Sequence, residues 1–306
     1  ESHWNEGLCR LALGDFVLGW EKYEWRWKTA QRGSVRDFRE PLWTGDQDLR
    51  GRTILLHAEQ GLGDTLQFCR YAKKVAGLGA TVVLEVQKPL KALLSSLEGV
   101  AQVIARGEPL PAFDFHCPLL SLPLAFRTTL ADIPADSPYL RCDPDEVERW
   151  AGRLRTGTMP RVGLVWRSAS AKRSVPLEAF LRLAKGRAQF FSLQRDLSPG
   201  EQQVLDSRID ILQVGTELRN FADSPIVELM DLVITVDTSM AHLAGALGRS
   251  TWVLLACGGE WRWMLGRRDS PWYPRTRLFR SPSPGDWETV LGEVGEALDA
   301  ELLQRA

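Results

Sequence analysis

DLVITVDTSMAHLAGALG, residues 231–248, passes from a largely apolar, β-branched run into a polar triplet, Asp237-Thr238-Ser239, and then into small residues: Ala241, Ala244, Gly245 and Ala246. An apolar run with no polar alternation reads as a strand buried on both faces, the kind found in parallel sheets. The helical spacing behind the triplet makes this a strand–turn–helix unit. Short side-chain oxygens and unpaired backbone N–H groups at such a turn can hold an anion, and small residues let the helix lie close to the sheet. Two plainer readings use the same residues. The triplet can simply cap the helix, and His242 can be a half-buried histidine with its hydrogen bonds satisfied.

Working outward, the same alternation recurs on both sides. RVGLVWRSAS (161–170) is followed by a helix from Pro176, FFSLQ, a helix from Pro199, IDILQV, a helix around Pro225, and, after the opening stretch, TWVLLA. Further upstream come TILLH, a helix from Thr65, TVVLEV, PLKALLSSL and VAQVIA. Strands that alternate with helices build parallel sheets with crossover connections, so two open α/β sheets in tandem are expected. The expected domains are 36–157 and 158–285, with a Gly/Pro-marked boundary near residue 158. Before them, residues 4–27 read as two short helices parted by Gly14 and Asp15, within a helical stretch at 1–35. After them, 286–306 reads as a closing helix with Asp286 as N-cap.

Composition narrows the function classes. The chain has 306 residues, enough for two cores. Its 38 basic residues balance 39 acidic ones, which gives no electrostatic case for a nucleic-acid partner. Five cysteines, an odd number with no CxxC pair, argue against a disulfide framework or a thiolate zinc site and point to a reduced, cytoplasmic setting. No apolar run is long enough to span a bilayer. The first residues, ESHWNEG, lack the features of a signal peptide and an initiator Met, so further sequence upstream is expected. The twelve tryptophans read as seals for helix contacts.

In an open α/β sheet, ligands gather beyond the carboxyl ends of the strands, which selects a few loops. HAEQGLGDTLQF (57–68) follows TILLH: Gln60, Gly61 and Gly63 lead to Asp64 at the start of a helix, either as a cap or as a reactive carboxylate with room beside it. GxGxxG is absent, and no GK[ST] follows the glycines. SASAKRSVP places Lys172 and Arg173 just before a helix, where cations and free N–H groups suit a phosphate and where a solvated loop would look the same. Gln194 after FFSL can bond a ribose or base, or serve as a plain turn residue. His116, in FDFHCPLLSLP with Ser121, is a further candidate to which no reaction attaches. None of these loops carries a DxD-type or His-rich metal-ligand cluster.

Taken together, GLGD before a helix, Arg173 three positions before Pro176, and VDTSMAHLAGALG followed by TWVLL resemble glycosyltransferase family 9, the heptosyltransferase-like group. The stretch GLCRLALGDFVLGWEKYEWRW resembles the last unit of a tetratricopeptide (TPR) array, as in bacterial proteins that join such an array to a transferase. The resemblance implies the GT-B fold: two Rossmann-like α/β domains facing a cleft, here with a TPR-like helical pair in front and the closing helix crossing back to the first domain. It implies Asp64 as the general base of an inverting, metal-independent transfer; Gln60, Gly61, Gly63 and His116 are expected at the acceptor or cleft from their loop positions. It also implies donor-phosphate contacts from Arg173, with Lys172 as neighbour, and from the backbone at Thr238 and Ser239, with Met240 next in line; Gln194, Asp237 and His242 are expected on the same donor side from their places at the strand ends. The donor would be a nucleotide sugar and no cofactor is needed. The acceptor would be a protein held by upstream repeats, such as a flagellin, or a glycan such as lipopolysaccharide core. Where heptosyltransferases place a Glu for the nucleotide ribose, this sequence has Gln194. The alternatives are an inactive GT-B binding or scaffold protein and a nucleotide-sugar epimerase.

Overall fold

The computed structural model describes residues 1–29, 35–154, 157–218, 221 and 224–304. Its N-terminal helix α1 (Ser2–Leu13) ends where Gly14 adopts a φ of 87°, a left-handed geometry that costs other residues roughly 1–2 kcal/mol. The chain reverses there into α2 (Phe16–Tyr23). Gly7 lies against Lys22 and Tyr23, and Gly19 against Leu11, so the two helices pack antiparallel and close together. A 3-10 turn, Glu24–Lys28, follows. Residues 30–34 of the expected helical stretch lie outside the described residues.

The first sheet is built from β1 (Thr53–His57), β2 (Thr81–Val86), β3 (Gln102–Ala105) and β4 (Phe115–Pro118), in the order β3-β2-β1-β4 and parallel throughout. Between β1 and β2 run α3 (Leu62–Phe68) and α4 (Tyr71–Ala76); the short helices α5 (Lys91–Leu94) and α6 (Leu122–Ala125) precede β3 and follow β4. One face of the sheet buries Leu55, Val83 and Ile104 against Phe38, Leu110 and Phe113, side chains from irregular segments. The sequence reading has no strand at FHCP, because four residues with two half-exposed positions carry little signal.

The second sheet follows α7 (Pro144–Leu154). It contains β5 (Arg161–Val165), β6 (Gln189–Ser192), β7 (Ile211–Gln213), β8 (Leu232–Val236), β9 (Ser250–Leu255) and β10 (Thr276–Arg280). All are parallel, in the order β10-β9-β8-β5-β6-β7. Its connecting helices are α8 (Leu177–Phe180), α9 (Pro199–Asp206), α10 (Pro225–Glu228) and α11 (Ser239–Ala246). The last helix, α12 (Trp287–Gln304), buries Val290, Leu291, Val294, Leu298 and Leu302 in the core of this same sheet. Asp286 caps it, accepting the Thr289 N–H at 3.1 Å. Strand β10 is absent from the sequence reading: it is an edge strand whose arginines, Arg277 and Arg280, interrupt the apolar pattern.

Backbone contacts divide the chain into two units, Glu1–Arg141 with Gly259–Arg267, and Cys142–Gly258 with Arg268–Ala306. The division follows Arg141, ahead of the boundary expected near residue 158. A nine-residue piece after β9, which the sequence reading assigns to the second domain, belongs to the first unit.

Candidate functional site

In the second unit the strand order reverses between β5 and β8: β6 and β7 continue one way, β9 and β10 the other. The carboxyl ends of these two strands flank the topological switch point, where open α/β sheets take their ligands. The loop after β5 carries Lys172 and Arg173 on a 3-10 turn, and the turn after β8 carries Asp237. The two loops meet. Arg173 Nη1 donates to Asp237 Oδ2 at 2.8 Å, and the Asp237 side chain is 7% exposed. Thr238 is the cap of α11, its Oγ1 accepting the Met240 N–H at 3.1 Å. That bond engages the Met240 N–H with the cap. Ser239 opens the helix, and Lys172 is exposed.

His242 is buried, and its Nδ1 lies 2.9 Å from the Tyr273 hydroxyl. It is more deeply buried than the half-buried histidine of the plainer reading, and it has a protein partner as that reading expects. Gly245 is small for the same neighbour: a Cβ there would stand 2.4 Å from the Tyr273 ring. Gln194 is also buried, its side-chain oxygen accepting the Arg167 N–H at 3.0 Å. Beside it, Arg167 lies 3.4 Å from Glu201, whose other oxygen accepts the Trp166 indole N–H at 2.8 Å. The capping box of α9 brings this glutamate to the end of β5. Sequence reasoning missed Arg167 and Glu201, although Ser198-x-x-Glu201 is a legible capping signature.

In the first unit, the loop after β1 runs through Gln60, Gly61 and Gly63 to Asp64, the third residue of α3. Asp64 Oδ2 accepts the Gly61 N–H at 2.8 Å, and Oδ1 accepts from the guanidinium of Arg262. The carboxylate is 16% exposed, so it is both helix cap and ion-pair partner. Gly61 has an ordinary φ of −72°; its missing side chain is explained by space, because a Cβ would lie 3.1 Å from Asp64 Oδ2. Gln60 donates to the Tyr23 hydroxyl at 2.9 Å and its carbonyl accepts from Gln87 at 2.8 Å, which anchors the loop on both sides.

Under this loop lies a charged cluster that the sequence reading overlooked. Arg26 bonds Glu24, donates to Glu59 Oε1 at 3.0 Å and to Ser121 Oγ at 2.7 Å, and its side chain is 6% exposed. Burial pushes the Glu59 carboxyl up to about 7, against the pull of the Arg26 guanidinium. Two residues earlier, burial drives the His57 imidazole down to about 3. Its Nε2 lies 3.3 Å from Nδ1 of His116, itself lowered by burial. His116 thus lies on β4 opposite Leu55 of β1, with its ring against His57. Among the described residues no group of three or more His, Cys, Asp or Glu is placed to hold a metal ion. The cysteines are unpaired, and no described helix is long and apolar enough to cross a membrane.

No family model matches the chain. Protein FlbA of Caulobacter vibrioides is 29% identical over 322 residues, a match that covers 94% of this chain and 53% of FlbA. The chain thus spans about half the length of this curated relative. Among solved structures, a glycosyl transferase family 9 protein from Veillonella parvula aligns over 84% of this chain and 99% of its own, with a TM-score of 0.67 at 10% identity. The ADP-heptose lipopolysaccharide heptosyltransferase II of E. coli aligns over 82% and 99%, with a TM-score of 0.59 at 14% identity. TibC of enterotoxigenic E. coli, an iron-containing dodecameric glycosyltransferase, aligns over 84% and 78%, with a TM-score of 0.53 at 13% identity. With its two parallel α/β sheets, the chain has the GT-B-like fold of these glycosyltransferase structures.

Proposed function

We propose that the chain is a glycosyltransferase that moves a sugar from a nucleotide-sugar donor to an acceptor hydroxyl with inversion. The observation that carries this reading is the meeting of Arg173 and Asp237 at the switch point of the second sheet, in a chain with a glycosyltransferase fold. Arg173, Lys172 and the first turn of α11 supply cations and backbone donors for a leaving phosphate, whose developing charge they stabilise. An acceptor hydroxyl is a poor nucleophile at neutral pH. Asp64 takes its proton as the new C–O bond forms, a step worth roughly a hundredfold to ten-thousandfold. Solved structures of this fold include E. coli heptosyltransferase WaaC with ADP and with an ADP-heptose analogue, which supports a nucleoside-diphosphate sugar as donor class. The helical pair α1–α2 is read as the end of a TPR array, which makes a protein the proposed acceptor. Five unpaired cysteines suit a reduced, cytoplasmic setting.

The test is a calorimetric and thermal-shift screen against UDP, ADP, GDP, CMP and their common sugar conjugates, repeated with Arg173→Ala. Selective binding of one nucleotide, weakened by the substitution, is expected. A chain that binds none of them, or binds equally well without Arg173, overturns the donor site. Release of nucleotide only when an acceptor is present distinguishes transfer from epimerisation.

A further inference from the structure

Arg262 reaches Asp64 from 198 positions later in the chain, and it is held at both ends. Its backbone N–H donates to Glu260 Oε2 at 2.9 Å, and its guanidinium also bonds the Glu260 carboxylate. The same guanidinium lies 4.2 Å over the Trp261 ring. Trp261 is wedged between two elements. Its ring centroid stands 5.5 Å from Trp20 and 5.4 Å from Tyr23 of α2, and 6.1 Å from Phe68, the last residue of the helix that begins around Asp64. Beyond the tryptophan, the Leu265 N–H donates to the Ala12 carbonyl of α1 at 2.8 Å. Met264 between them holds a φ of 54°, a conformation that a residue with a side chain keeps only where its neighbours over-determine it.

We propose that Arg262 is a positioning residue for Asp64, and that Glu260–Leu265 is a strap through which the N-terminal helical pair controls where that carboxylate points. The proposal rests on the reading of Asp64 as the acceptor's base. The carboxylate is fixed from two sides: Gly61 holds one oxygen and Arg262 the other. A carboxylate oxygen has about two acceptor sites, so each oxygen keeps one for an incoming hydroxyl while the two bonds set its aim. The strap holds this guanidinium through Glu260 and Trp261, and the strap is seated on α1 and α2. A load on the helices, such as a protein bound along them, is thereby transmitted to Asp64. Such a link gives the site a means of responding to an occupied helical segment without any direct contact between partner and carboxylate.

Hydrogen exchange on the full chain, read by mass spectrometry, tests the strap without any substrate. Arg262→Gln is expected to speed exchange about tenfold or more across residues 59–65 and to leave α1 and α2 unchanged. Arg262→Lys, which keeps the cation, restores part of that protection. Trp261→Phe, a milder change than removal of the ring, is expected to speed exchange in both α2 and residues 59–65. The strap is overturned if Arg262→Gln leaves residues 59–65 as in the native chain, or if Trp261→Phe loosens the helices alone. With a donor found by the nucleotide screen, Arg262→Gln lowers kcat and leaves the donor KM in place; a change confined to KM also overturns it. Asp64→Asn separates the two readings. Undiminished transfer in that variant removes the base assignment while the exchange result stands, and lost transfer there together with unmoved exchange in Arg262→Gln removes the strap while the base assignment stands.

Discussion

Asp64 and Asp237 both stand where a parallel strand gives way to a helix, Asp237 directly after β8 and Asp64 in the first turn of α3, and each is bonded to an arginine. Their arginines differ in origin. Arg173 comes from the loop of β5, the strand that pairs with β8, 64 positions from Asp237. Arg262 comes from a segment that follows β9, on the far side in sequence of nearly the whole second sheet. The first pair is a consequence of sheet topology: neighbouring parallel strands bring their terminal loops together whatever the loops contain. The second pair exists only because the chain returns to the first unit, and nothing in the β1–α3 loop announces it.

The sharpest way to break the comparison is through Asp64. Asp64→Asn should lower the transfer rate about 100- to 10,000-fold while nucleotide binding, followed by calorimetry, stays at its native level. A native rate in that variant would place the two aspartates in one class, both merely structural. Arg173→Ala should act on the other side, weakening nucleoside-diphosphate binding roughly tenfold to a hundredfold, as expected for loss of a charge-assisted bond of about 1.5–3 kcal/mol. Equal effects on binding from Arg173→Ala and Arg262→Gln would erase the distinction between the two arginines.

Smaller effects sharpen it. Gly245→Ala puts a methyl group 2.4 Å from the Tyr273 ring and should destabilise the second unit by about 1–3 kcal/mol in urea unfolding. The control is Gly152→Ala in the exposed part of α7, with nothing within 4 Å of the new Cβ. That change should stabilise by about 0.5–1 kcal/mol, and an equal loss at both positions would refute the packing argument.

The smallest effect concerns pH. Glu59, raised from 4.5 to about 7, contributes fully below pH 4.5 and loses its contribution as pH rises through 7. His57, lowered from 6.5 to about 3, contributes fully above pH 6.5 and loses its contribution as pH falls through 3. Between pH 4.5 and 6.5 the two slopes oppose each other, each at most about 1.4 kcal/mol per pH unit. Glu59→Gln should therefore leave stability rising with pH across that interval, and His57→Phe should leave it falling. Unfolding curves with the opposite signs would show that the buried groups are not the source.

The sequence was most informative where local pattern and fold agree. TILLH and the run before Asp237 are strands in the structure, and both candidate loops lie at strand ends because an apolar run followed by a capped helix has few other solutions. It was least informative where meaning depends on distant chain. Glu59 and Arg26 look like ordinary polar residues of a loop and a helix end, and only the fold reveals that they are buried against one another. GGEWRWMLG carries no periodicity, so its place in the first unit could not be read. Strand β10 escaped because an edge strand need not hide its charges. For the donor-side residues, pattern found the loops but not the partners: Met240 gives its N–H to a cap, and Gln194 turns its oxygen to the backbone.

The return of Gly259–Arg267 to the first unit has a consequence for the order of events on a ribosome. Synthesis delivers residues up to Arg141 first, yet the piece that completes their packing emerges only after β9. At about 5–20 residues per second, the first unit waits roughly 6–25 s for it. During that interval the rings of Trp20, Tyr23 and Phe68 lack Trp261 as their cover, and the Asp64 carboxylate lacks its guanidinium. For that whole interval the surface that later fixes Asp64 stays uncovered and open to mispairing.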